Sequence, residues 1–60
     1  MYTNQEDATK NLLLMKGYAP FREWVAIEIN GLWDLYDSIR KAKNAMRKAG
    51  VTNATMIEAQ

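Results

Sequence analysis

Catalysis needs side chains that can attack, take up a proton or hold a metal, and this 60-residue sequence has few of them. Histidine and cysteine are both absent. A general base would have to be a carboxylate or lysine tuned by burial or by a neighbour. A zinc site would have to be built from carboxylates alone, which is unusual. The nearest thing to a carboxylate cluster is Glu28, Asp34 and Asp37. On a hairpin, neighbouring positions point to opposite faces, so these three read as separate solvated acids. Gly17, Gly31 and Gly50 are too far apart to form a phosphate-cradling loop and read as punctuation. The expectation is therefore no catalytic residue, no metal site, no cofactor and no enzymatic activity.

Binding is better represented. Net charge is +1, but it is unevenly distributed. Residues 1–37 hold six acids and three bases, a balance of −3, and residues 38–60 hold five bases and one acid, a balance of +4. Such a split says more about partners than the total does. Arg40, Lys41, Arg47 and Lys48 recur at helical spacing and would form a basic stripe, with Asn44 among them and Lys43 at its edge. Trp24 and Trp33 offer large rigid area with a polar handle, the chemistry of binding hot spots. The bland readings are core for the tryptophans and a solvated face for the cations.

The elements that would position these residues follow from local signals. Thr3 and Glu6 have capping-box spacing, and Glu6 and Asp7 suit the positive end of a helix dipole. Ala8, Leu12 and Met15 recur at helical spacing, with Leu13 and Leu14 widening the stripe. Gly17 is a standard stop, so a helix is expected over about 4–16. Pro20 then breaks the chain.

The stretch AIEINGLWDLYDS admits two readings. As a hairpin, it turns at Asn30-Gly31, a dipeptide suited to the two positive φ angles of a type I′ turn. A two-residue loop then pairs Ile29 with Leu32, Ile27 with Asp34 and Val25 with Tyr36 on one face. Glu28 with Trp33, Ala26 with Leu35 and Trp24 with Asp37 share the other. As a helix beginning at Pro20, the same residues also make an apolar stripe. That helix would hold Gly31 in its interior at roughly 1 kcal/mol relative to alanine, and Asp37-Ser38 where such residues prefer caps. The hairpin is preferred. A basic amphipathic helix follows, capped by Asp37 or Ser38, with Ile39, Ala42, Met46 and Ala49 turned inward and Gly50 at its end.

The last stretch, TNATMIEAQ, reads as a short helix capped by Thr52, or as a tail. Together with the preceding turn, AMRKAGVTNATMIEA resembles the turn and second helix of helix-turn-helix DNA-binding proteins. Ala49-Gly50-Val51-Thr52 matches the turn, and Ala54-Thr55-Met56 matches the opening of the recognition helix. The resemblance implies that Asn53, Ala54 and Glu58 face a DNA groove.

Size and composition frame these choices. With 48% apolar and 25% charged residues, the chain is globular in type and long enough for one small domain over 1–60. No stretch reaches the roughly 18 apolar residues of a membrane span. The polar, acidic start lacks the order of a signal peptide, so a soluble cytoplasmic protein is expected. The expected fold is α+β: helix, hairpin, basic helix, then a short C-terminal helix or tail, with an all-α three-helix domain as the alternative. So small a core is compatible with a homodimer. The expected function is a small non-enzymatic regulatory or inhibitory protein of the kind phages and mobile elements use. It would dock on another protein through Trp33, Arg40, Lys41, Arg47 and Lys48. The alternative is a DNA-binding regulator using residues 45–60.

Overall fold

A computed structural model describes residues 1–59. The order is α1 (Gln5–Tyr18), β1 (Val25–Ile29), β2 (Leu32–Tyr36), α2 (Ile39–Ala49) and β3 (Thr55–Glu58). The three strands form one antiparallel sheet in the order β2-β1-β3. Both β2 and β3 run against β1, so they are parallel to each other, and α2 is the crossover that carries the chain past β1. The fold is α+β, as the hairpin reading requires.

The hairpin register is the one that a two-residue turn imposes, from Ile29↔Leu32 back to Val25↔Tyr36. Asn30 and Gly31 both take positive φ, 53° and 80°, the type I′ geometry whose twist matches the flanking strands. The alternating faces then meet different helices. Val25 and Ile27 pack with Ala42 of α2, joined by Ile39, Tyr36, Met46 and Met56. Ala26 and Trp33 pack with Ala8 and Leu12 of α1, joined by Trp24, Leu35 and Ile57. Because β1 is covered on both faces, Val25, Ala26 and Ile27 are all buried in succession. A continuous buried run of this kind is the mark of a central, doubly covered strand.

Several local expectations are corrected. Asn4, not Thr3, caps α1: the Asp7 amide donates to Asn4 Oδ1 at 2.8 Å. The helix runs through Gly17 to Tyr18, and Gly17 does not take positive φ. Leu13 and Leu14 do not join the core, because Ala8 and Leu12 alone fill the contact with the sheet. Tyr18, at the end of α1, is 86% exposed. At α2, Ser38 is the cap, accepting from the Lys41 amide at 3.1 Å. Gly50 ends that helix in the left-handed region, with the Val51 amide closing onto the Met46 carbonyl at 2.9 Å. Ala49 is exposed, and Ala45 takes its place on the inner face.

The C-terminal segment is neither helix nor tail. Residues 55–58 are β3, paired along β1 from Glu28↔Thr55 to Val25↔Glu58. The segment supplies Met56 to one core and Ile57 to the other, a period of two that suits a strand and no helix.

Candidate functional site: the basic face of the crossover helix

The exposed arc of α2 carries the residues singled out for binding. Arg40, Lys41, Lys43, Asn44, Arg47 and Lys48 are all exposed. The helix presents them because Ala42, Ala45 and Met46 occupy its opposite side against the sheet. From Arg40 to Lys48 they span about 12 Å along the axis at about 1.5 Å per residue.

These cations are not equivalent. Lys41 Nζ lies 2.8 Å from Asp37 Oδ1, and Arg22 reaches the other carboxylate oxygen at 3.4 Å. The Lys41 hydrogen bond is the main reason the Asp37 carboxyl sits below its ordinary range, with both cations adding Coulombic attraction. Asp37 therefore pins Lys41 at the N-terminal end of α2. Among the described residues, Arg40, Lys43, Arg47 and Lys48 have no carboxylate within 4.0 Å. Arg47 donates to the Asn44 side-chain oxygen at 2.9 Å, which orients the guanidinium without neutralising it.

On one flank this face runs into a groove between α2 and β3, with a volume of about 550 Å³. Lys43 and Arg47 form its basic rim, Met46 and Met56 its apolar wall, and the turn from Gly50 to Ala54 closes one end. On the other flank, Lys41 and Lys48 border a smaller hollow beside Tyr36. The Tyr36 hydroxyl donates to Asp34 Oδ2 at 3.3 Å. Its pKa is raised, first by burial and then by the Asp34 charge and hydrogen bond.

Neither a family model, a curated protein nor a solved structure matches this chain.

The remaining candidates are dispersed. Trp33 of β2 is 3% exposed, packed between the sheet and α1. This corrects its assignment as a surface anchor: its side chain is core, and its backbone pairs with Tyr2 at the sheet edge. Trp24 is half-buried in the same cluster, with its indole N–H donating to the Ala19 carbonyl at 2.9 Å. Glu28 and Asp34 point to opposite faces of the sheet, as their register partners show, and Asp37 is engaged by two cations. Among the described residues, no three carboxylates are grouped so as to hold a metal. Among the described residues, no helix is long and apolar enough to cross a membrane.

The helix-turn-helix likeness is also corrected. Gly50 does turn with positive φ. However, Asn53 and Ala54 lie in a loop and Glu58 in β3, so no second helix presents them to a groove. An αL glycine followed by threonine ends a helix equally well before a strand.

The groove was only half legible in the sequence. The basic stripe was visible in its spacing. Lys43 as a rim residue, and Val51, Ala54 and Met56 as groove residues, become recognisable only once β3 lies beside α2.

Proposed function

We propose that this protein is a non-enzymatic regulatory or inhibitory module that works by occupying an acidic surface on another protein. One observation carries this reading. Four cations without carboxylate partners among the described residues share one exposed helix face, and that face ends in a groove with an apolar wall. Charged rims steer encounter and apolar centres hold the complex. The two methionines supply an adaptable surface, because an unbranched thioether re-packs against varied shapes. The chain's near-neutral total charge favours a protein partner over nucleic acid, whose binding usually rests on a strongly basic domain.

A photo-cross-linking amino acid at Asn44, in the centre of the basic face, tests the reading in cells that express the protein. A discrete protein adduct is expected, and it should be lost in the Arg47→Glu, Lys48→Glu double variant. Fluorescence anisotropy with a labelled random-sequence DNA duplex at about 50 and 200 mM salt is the counter-test. Micromolar duplex binding at low salt that collapses at high salt would overturn the protein-partner reading.

A further inference from the structure

The two edges of the sheet are treated differently. At the outer edge of β2, Tyr2 and Trp33 exchange both backbone hydrogen bonds, at 2.8 and 2.7 Å, so the N-terminal segment closes that edge. At the outer edge of β3 there is no such closure among the described residues. The phase of the ladder says which groups are left over. The Ala59 amide donates to the Trp24 carbonyl at 3.0 Å. In an antiparallel pair the bonded positions alternate, so Thr55, Ile57 and Ala59 face β1. The N–H and C=O of Met56 and Glu58 therefore point away from the sheet.

This bare edge borders the α2–β3 groove. A strand added there would send alternate side chains over Met46 and Met56, between Lys43 and Arg47. We propose that β3 receives an extended acidic segment of a partner protein as a fourth strand, its carboxylates pairing with Lys43 and Arg47. This rests on the reading of the α2 side as a protein-docking face, and adds the mode of recognition. Strand addition takes affinity from main-chain hydrogen bonds and selectivity from alternate side chains. The basic rim selects acidic residues at those positions. The edge is short, four residues, so the rim and groove must contribute beside the backbone.

The probe is an end-capped ten-residue peptide alternating glutamate with valine and threonine, compared with its lysine counterpart. Amide hydrogen exchange of the intact protein is followed by NMR during titration. The expected result is peptide-dependent protection of the Met56 and Glu58 amides, with no response to the lysine peptide. Glu58→Pro removes one outward N–H and none of the bonds to β1, a substitution tolerated at sheet edges. It should weaken binding tenfold or more. Glu58→Gln keeps the donor and removes the charge, and should bind at least as tightly as the parent. Lys43→Glu and Arg47→Glu leave the sheet untouched and should each weaken binding, which keeps the test valid if the proline variant fails to fold. Binding that shifts α2 resonances without protecting Met56 and Glu58 would overturn strand addition while leaving the docking face in place. Protection of these amides without peptide, rising with protein concentration, would assign the edge to a second copy and overturn the proposal. No binding at millimolar peptide would also overturn it. If duplex DNA rather than the peptide shifted the α2 resonances, the broader reading would fall with it.

Discussion

Replacing Trp33 with alanine separates a core residue from a surface anchor. Trp33 is 3% exposed and packs with Ala8, Leu12 and Ala26, with Tyr2 and Leu35 at the margin. Truncating a buried tryptophan to alanine costs about 3–5 kcal/mol, the lost transfer energy plus the cavity left behind. A domain of 60 residues has roughly 3–9 kcal/mol in total at about 0.05–0.15 kcal/mol per residue. The substitution therefore removes about a third of the stability at the least and all of it at the most. Urea unfolding followed by circular dichroism is the assay, since it does not depend on the deleted indole. With a slope near 1 kcal/mol per molar for so small a protein, the midpoint should fall by about 3–5 M, or the variant should be unfolded in buffer. Trp33→Phe, which keeps a ring in the site, should fall between the two. A midpoint change below about 1 M for Trp33→Ala would refute the reasoning. It would mean that α1 does not cover this ring and that the indole is free for a partner.

Further expectations follow from the backbone, the helix caps and the titrating groups. Gly31→Ala and Gly50→Ala place a Cβ on residues at φ 80° and 72° and should each cost about 1–2 kcal/mol in urea unfolding. Gly17→Ala lies inside α1 with open space around it and should instead stabilise by up to about 1 kcal/mol. Asn4→Ala and Ser38→Ala each remove a helix cap and should each cost about 1 kcal/mol by the same measurement. Tyr36 is raised above 10.0 in the folded protein, so its contribution is full below pH 10 and is lost as pH rises through the folded value. The stability of wild type relative to Tyr36→Phe should decline on that alkaline side. Asp37 is lowered below 3.8, so its contribution is present above that pH and lost as pH falls through the lower folded value. The difference between wild type and Asp37→Asn should shrink there.

Local chemistry in the sequence favoured the hairpin over a long helix and delimited the basic helix, and composition excluded histidine and cysteine chemistry. Asn30 and Gly31 accept positive φ at small cost, and once they turn, the period of two leaves a single register for Val25 to Tyr36. Ser38 and Gly50 bound α2 through bonds made within a few residues of themselves. The spacing of Arg40, Lys41, Arg47 and Lys48 then sets which side they share. Other features depended on what lies across the fold. Residues 55–58 become a strand because the β1 edge supplies the hydrogen bonds that so short a segment cannot make internally. Trp33 is buried because α1 folds over that face of the sheet, and its neighbours in sequence carry no sign of it. Leu13 and Leu14 stay exposed because α1 meets the sheet through Ala8 and Leu12, and they lie about 100° and 200° round the helix from Leu12. The groove exists because the crossover lays β3 beside α2, bringing Lys43 and Arg47 next to Met56. Capping and turn energies are local and can be read along the chain, whereas burial and strand pairing are relations between distant segments that only the tertiary structure decides.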